Sequence, residues 1–106
     1  MKIPYDEAQP TREAVDAAEG VMALDFGTNW CGYCQAGARP IEQALAAHPG
    51  VQHVKVEDGP GRRLGRSFKV KLWPTVVVLK DGVEVGRVVR PDDEDELQAL
   101  LAQAGA

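Results

Sequence analysis

The alternation of apolar and polar residues along the chain predicts a regular order of helices and strands. Apolar residues recur at helical spacing in residues 11–18, 31–48, 64–68 and from about 93 onwards. Short, largely apolar runs of strand length lie at residues 21–26, 51–56, 75–80 and 83–89. Asp81 and Gly82, between the last two runs, are a strong turn signal and predict a β-hairpin there.

The order of these segments, α, β, α, β, α, β, β, α, predicts an α/β fold. Strands joined through helices are expected to run parallel, whereas the last two, joined by a tight turn, are expected to be antiparallel. Together they predict a mixed central sheet of parallel strands plus a C-terminal antiparallel hairpin, with helices on both faces. The 106 residues contain neither an internal repeat nor a biased linker, so we expect a single domain over residues 1–106.

Composition and charge indicate which kinds of binding partner the protein is expected to have. The chain is 44% hydrophobic and has a formal net charge of -4, an acidic balance that disfavours nucleic acid and anionic membranes. No run reaches the roughly 18 apolar residues of a membrane span, and the N-terminus lacks the basic-then-apolar layout of a signal peptide. We therefore expect a cytoplasmic protein that binds neither nucleic acid nor membranes, and our working expectation is a monomer.

The two cysteines, Cys31 and Cys34, carry the main functional signal. They follow a predicted buried strand and open a predicted helix, where residues three apart lie on one face, close enough for their sulfurs to bond. Cys31 falls in the first turn, where unpaired backbone N–H groups and the helix dipole stabilise a thiolate. Cys34, one turn further along, should be more buried and less acidic. The pattern predicts a dithiol–disulfide cycle with Cys31 as the nucleophile and Cys34 as the resolving thiol.

Asp25 interrupts the apolar run at residues 21–26. A carboxylate inside a buried strand is unfavourable unless it is neutral or hydrogen bonded. Its place shortly before the cysteine pair suits a group that exchanges a proton with Cys34. Asp25 is therefore a candidate catalytic residue.

Three segments of the chain resemble the thioredoxin family in their order and spacing: Leu24-Asp25-Phe26, Trp30-Cys31-Gly32-Tyr33-Cys34 and Trp73-Pro74-Thr75. The resemblance covers nearly the whole chain, and the cysteine motif is typical of this family. It implies a thioredoxin-like fold and a thiol–disulfide oxidoreductase that reduces protein disulfides. It also implies that no prosthetic cofactor is needed, because a redox-active disulfide carries the electrons. An external reductant, either thioredoxin reductase or glutathione, would then restore the thiols.

The same resemblance suggests roles for further residues. Asp25 resembles the family's buried acid, and Lys55, outward from the apolar face of the second strand, resembles the lysine that pairs with this acid. Pro74 is expected to be the family's cis proline, packed against the cysteine pair. The residues expected to contact the substrate are Trp30, Gly32, Tyr33, Trp73, Pro74, Thr75 and Arg90.

The chain departs from the family's pattern at Tyr33, Trp73 and Arg90. Tyr33 replaces the proline usual in thioredoxins and restores a backbone N–H, which we expect to donate towards the Cys31 thiolate. Such a donor would make the disulfide form more oxidising. Trp73 and Arg90 stand where smaller and apolar residues are usual, so we expect a bulkier and partly cationic substrate groove.

Three alternatives stay open from the sequence alone. The spacing of Cys31, Cys34, His48 and His53 fits a zinc module. However, a Pro-Gly pair keeps the histidines off one helix face, so we interpret both as loop or surface residues and expect no metal site. A glutaredoxin-like enzyme would use the same cysteines with glutathione as the reductant. A binding adapter of the same fold would show no turnover.

Overall fold

The computed structural model describes residues 4–6 and 8–106. Its helices are α1 (Arg12–Ala17), α2 (Gly32–Ala46), α3 (Arg63–Ser67) and α4 (Asp95–Gln103). Its strands are β1 (Val21–Gly27), β2 (Gln52–Glu57), β3 (Thr75–Lys80) and β4 (Val83–Val89). Each predicted segment forms an element of the predicted type, and β3 and β4 have the predicted ends.

The strands form one mixed sheet in the order β2-β1-β3-β4. β1 is parallel to β2, with Asp25 opposite Lys55, and antiparallel to β3. β3 and β4 form the predicted antiparallel hairpin. Asp81 and Gly82 connect them with φ values of 50° and 81°, the positive values that a tight hairpin turn favours. The predicted fold class, a mixed sheet with a C-terminal hairpin, is confirmed.

The expectation that β3 runs parallel to the strands before it is wrong. α3, which joins β2 to β3, has five residues and is about 8 Å long, whereas a six-residue strand spans roughly 20 Å. The helix alone therefore does not carry the chain back to the far end of the sheet, and the residues on either side of it do not do so either. β3 begins at the edge where β1 and β2 end, with Thr75 opposite Phe26. As a result, Pro74 lies at the same edge of the sheet as the cysteine pair that follows β1.

Apolar side chains cover both faces of the sheet, as predicted. Helices α2 and α4 pack on one face, and α1 and α3 pack on the other. The buried side chains include Ile41, Leu45, Leu97 and Leu101 on the first face, and Val15, Leu64 and, directly after α3, Phe68 on the second. Asp25 shares the first face with Ala23, because alternate residues of a strand point the same way.

Two helix starts show how the sequence sets the ends of the elements. α2 begins directly after Cys31, which is its N-cap residue. α4 begins after an acidic run, and Oδ1 of Asp93 accepts a hydrogen bond from the Asp95 N–H at 2.9 Å. Across the part of the chain that the structure describes, no helix has both the length and the apolar character needed to cross a membrane.

Candidate active site

The cysteine pair lies where β1 ends and α2 begins. Sγ of Cys31 accepts a hydrogen bond from the backbone N–H of Cys34 at 3.3 Å, which is the usual geometry of a helix N-cap. Both cysteines are free thiols, and Cys34 is 2% exposed against 8% for Cys31, so the prediction of a more buried Cys34 is confirmed. The expectation that the backbone N–H of Tyr33 donates to Cys31 is wrong. The N–H that reaches the Cys31 sulfur is that of Cys34.

The surroundings of Cys34 keep it protonated at neutral pH. Burial is the main cause that raises the pKa of Cys34 to about 12, and the neighbouring Cys31 sulfur adds to the increase. Hydrogen bonds with the Thr28 backbone and the Tyr5 hydroxyl act in the opposite direction, since they stabilise the thiolate. Cys34 therefore needs a proton acceptor before it can attack a disulfide.

Asp25 is the buried acid of β1, with 2% of its surface exposed. The Tyr5 hydroxyl donates to Oδ1 of Asp25 at 2.9 Å, and Nε2 of His53 lies 3.0 Å from Oδ2. Both carboxylate oxygens thus have a hydrogen-bond partner, which offsets the penalty of burying them. The interpretation of His53 as a surface residue is wrong, because its side chain is part-buried in β2 and contacts Asp25.

Lys55 lies directly opposite Asp25 in the register of β1 and β2. Its Nζ is 4.5 Å from the centroid of the Tyr5 ring, within the range of a cation–π contact. Lys55 is therefore placed at the same buried cluster as Tyr5 and Asp25. The direct pairing of Lys55 with the Asp25 carboxylate stays a prediction.

Pro74 approaches α2 from the loop before β3, and the Trp73–Pro74 peptide bond is cis. A Cβ atom at Gly37 would be 2.8 Å from Cγ of Pro74, so a side chain at this position would prevent the approach. Gly37 is three residues after Cys34, which places both on one side of α2. Pro74 consequently meets the side of the helix that carries the resolving cysteine.

Three aromatic side chains, Trp30, Tyr33 and Trp73, lie beside the cysteine pair. The Trp30 and Trp73 rings meet edge to face with centroids 5.9 Å apart, and Trp73 packs against the cysteines. The Arg90 guanidinium lies 3.7 Å above the Tyr33 ring, and its Nε donates to the Trp73 carbonyl at 2.9 Å. Nε1 of Trp73 donates to Asp58 Oδ2 at 2.8 Å, which fixes the indole. Large aromatic side chains thus lie beside the cysteines, and the Arg90 guanidinium lies against two of these residues.

The zinc alternative requires both histidines to reach the cysteines. Cys34 lies in the first turn of α2 and His48 lies just beyond its end, which separates them by about 20 Å at 1.5 Å per residue. His53 contacts Asp25 from β2. Over residues 4–6 and 8–106, no three His, Cys, Asp or Glu side chains are arranged to hold a metal ion.

A comparison with protein families completes the description of the site. The family model described as Thioredoxin matches residues 5–103. This chain belongs to the thioredoxin family. Members of the family are protein disulfide oxidoreductases, and this thioredoxin-family protein is a thiol–disulfide oxidoreductase with Cys31 and Cys34 as its CxxC pair.

Known thioredoxins resemble the chain in both sequence and structure. The thioredoxin of Chlamydia trachomatis is 37% identical over 87 residues, which are 81% of this chain and 84% of that protein. The structure of thioredoxin 2 from Pseudomonas aeruginosa PAO1 in its reduced form matches with a TM-score of 0.86 at 49% identity, covering 98% of this chain and 96% of that one. A mutant thioredoxin from Halobacterium salinarum NRC-1 matches with a TM-score of 0.77 at 28% identity, covering 99% and 92%. These similarities confirm the family and fold that the sequence predicts.

Sequence reasoning missed Tyr5, His53 and Asp58. The alternation of β2 puts His53 on the same face as Lys55, so the strand pattern contained a signal for it. Tyr5 precedes every periodic segment, and Asp58 lies in a polar loop after β2. Their contacts with the site depend on tertiary structure alone.

Proposed function

We propose that this protein reduces disulfides in other proteins by two successive exchanges. The Cys31 thiolate attacks a substrate disulfide, forms a mixed disulfide and releases one substrate thiolate. Cys34 then loses its proton and attacks the sulfur of Cys31, which forms the Cys31–Cys34 disulfide and releases the second substrate thiolate. The substrate gains two electrons and the protein loses two. An external reductant restores both thiols, and no prosthetic group takes part.

The asymmetry between the two sulfurs carries this proposal. Cys31 caps α2 and accepts the Cys34 N–H, a position that favours a thiolate. Cys34 is buried, and burial raises its pKa to about 12. A buried thiol of this kind needs a nearby base, and we assign that role to Asp25, with Lys55 beside it.

We propose that the substrate chain lies in a groove beside Cys31, between the exposed rings of Trp30 and Tyr33 on one side and the loop before β3 on the other. Trp30 and Tyr33 support this assignment because they are 73% and 59% exposed beside Cys31. The backbone at Gly32 is open, since a Cβ there would meet nothing within 4 Å. The proposed substrate-binding residues are Trp30, Gly32, Tyr33, Trp73, Pro74, Thr75 and Arg90.

Thioredoxins are reduced by thioredoxin reductase, and we propose the same reductant here, for a cytoplasmic monomer. The test supplies insulin as the disulfide substrate with NADPH and one of two systems, a bacterial thioredoxin reductase or glutathione with glutathione reductase. NADPH consumption should be fast with thioredoxin reductase and absent in a Cys31→Ser control. Faster consumption with glutathione would support the glutaredoxin-like alternative instead. Absence of turnover with both systems would support the binding adapter.

A further inference from the structure

Tyr5 precedes the first predicted element, yet only 7% of its surface is exposed. Its backbone N–H donates to Oδ1 of Asn29 at 2.8 Å, and Nδ2 of Asn29 donates to the Tyr5 carbonyl at 3.3 Å. The next residue, Asp6, donates its N–H to the Lys55 carbonyl at 3.2 Å. These bonds hold Tyr5 between β2 and the loop that leads to Cys31.

The Tyr5 hydroxyl lies between Asp25 and Cys34. It donates to Asp25 Oδ1 at 2.9 Å, and Tyr5 packs with Cys34 in one buried cluster. A Cβ atom at Gly27 would be 2.6 Å from Cys34 Sγ and 2.8 Å from Tyr5 Oη, so both atoms approach one point of the β1 backbone. The absence of a side chain at Gly27 thus leaves the space in which the hydroxyl and the thiol meet.

We propose that the Tyr5 hydroxyl relays the Cys34 proton to Asp25 in the resolving step, an inference that rests on the proposed role of Asp25 as the base. As the S–H bond of Cys34 breaks, its proton moves to Tyr5 Oη, and the proton already on Tyr5 moves to Asp25 Oδ1. The Cys34 sulfur keeps the electron pair and attacks Cys31. Tyr5 ends as neutral as it began, and Asp25 ends protonated.

The electrostatics of Tyr5 favour a simultaneous exchange of the two protons. Burial is the first cause that raises the pKa of Tyr5 far above its ordinary value, and the charges of Asp25 and Cys34 raise it further. A phenolate is therefore strongly disfavoured, so the hydroxyl gives up its proton only as it receives another. After the exchange, the new O–H donates to the Cys34 thiolate and stabilises it until it attacks.

Other titratable or charged groups also face this cluster. His53, from β2, holds the second oxygen of Asp25 at 3.0 Å. Lys55, also from β2, lies over the Tyr5 ring, and Cys31 from the start of α2 is the sulfur to be attacked. A Tyr5→Phe substitution keeps the ring under Lys55 and keeps His53 on Asp25. It removes the hydroxyl and, with it, the hydrogen bond that Asp25 Oδ1 accepts.

The experiment compares Tyr5→Phe, Asp25→Asn and the double variant in single-turnover reactions with a disulfide substrate that reports each thiol it releases. Attack by Cys31 and resolution by Cys34 are timed separately from about pH 6 to about pH 9. Tyr5→Phe should slow resolution by about tenfold or more at neutral pH and leave attack within about twofold. Its resolution rate should then rise with pH, because Cys34 must lose its proton to hydroxide. In the Asp25→Asn background the same substitution should add little, since the relay has lost its acceptor.

A Tyr5→Phe protein that resolves at the wild-type rate and with the wild-type pH profile would overturn the relay. If Asp25→Asn is slow in that same comparison, the proposed role of Asp25 stands without it. If Asp25→Asn is also unchanged, the proposed base is wrong as well. Equal slowing of attack and resolution by Tyr5→Phe would likewise overturn the relay, because it would show a general effect on the fold.

Discussion

The hydroxyl of Tyr5 and the carboxylate of Asp25 lie 2.9 Å apart, although 20 positions separate the two residues in the chain. With His53 on the second carboxylate oxygen, each oxygen of the buried acid has a hydrogen-bond partner. Tyr5 also packs with the resolving Cys34 in one buried cluster. The proton chemistry of Cys34 therefore depends on contacts outside the CxxC motif.

The reduced protein should lose stability in alkaline solution. The pKa of the Cys34 thiol rises from 9.0 to about 12 on folding, mainly through burial. Above pH 9.0 the unfolded chain releases this proton while the folded chain keeps it. The contribution of Cys34 to stability is therefore fully present below pH 9.0 and is lost as the pH rises towards about 12. The free energy of unfolding by urea, measured for the reduced protein from neutral pH upwards, should fall accordingly. The free energy of unfolding of Cys34→Ser should fall less over the same pH range, because the serine hydroxyl does not titrate there. An equally steep fall in this variant would contradict the role of Cys34.

Gly27→Ala should destabilise the protein by about 1–3 kcal/mol, since it forces a side chain into a filled site. The added Cβ would be 2.6 Å from Cys34 Sγ and 2.7 Å from Cζ of Tyr5. Gly50→Ala is the matched control, because a Cβ there meets nothing within 4 Å. The free energy of unfolding of that control should stay within about 0.5 kcal/mol of the wild type. Similar losses in both variants would show that the space around Gly27 is not limiting.

Arg90→Gln should reduce the preference for substrates with acidic residues beside the disulfide. Arg90 is the cation that stacks on Tyr33 at the rim of the proposed groove. The measurement compares kcat/KM for two disulfide peptides that differ only in flanking Glu or Lys residues. The Glu-to-Lys ratio should fall by about two- to fivefold, which corresponds to about 0.5–1 kcal/mol. Arg87→Gln removes the same charge from a residue paired with Glu84, and an equal change there would indicate a general charge effect.

The local pattern of the sequence was sufficient to predict the helices and strands and the position of the cysteine pair. β3 and β4 have the predicted ends because strand alternation and the Asp81-Gly82 turn act between close neighbours. The position of Cys31 at the start of α2 was predictable for the same reason, since an apolar run followed by helical spacing marks the junction between β1 and α2. Asp25 was recognisable as a charge within an apolar run.

The direction of β3 and the partners of Asp25 were not predictable in this way. The direction of β3 depends on the path of the connection through α3, which is long enough to cross the sheet but leads to the edge where β2 ends. Tyr5 and His53 meet Asp25 only because the N-terminal segment and β2 are both brought against β1. The alternation of β2 puts His53 on the face of Lys55, but no pattern within a short window of sequence pairs Tyr5 or His53 with Asp25.

The central claim is that Cys31 attacks and Cys34 resolves, and mixed-disulfide trapping tests it most directly. Cys34→Ser and Cys31→Ser are each incubated with a protein disulfide substrate, quenched with acid and analysed by non-reducing electrophoresis and mass spectrometry. Cys34→Ser should accumulate a covalent complex through Cys31, because the attack occurs and the second exchange cannot. Cys31→Ser should accumulate none, because Cys34 is buried and protonated at neutral pH. A complex trapped through Cys34 in the Cys31→Ser protein would contradict the assignment of the two roles.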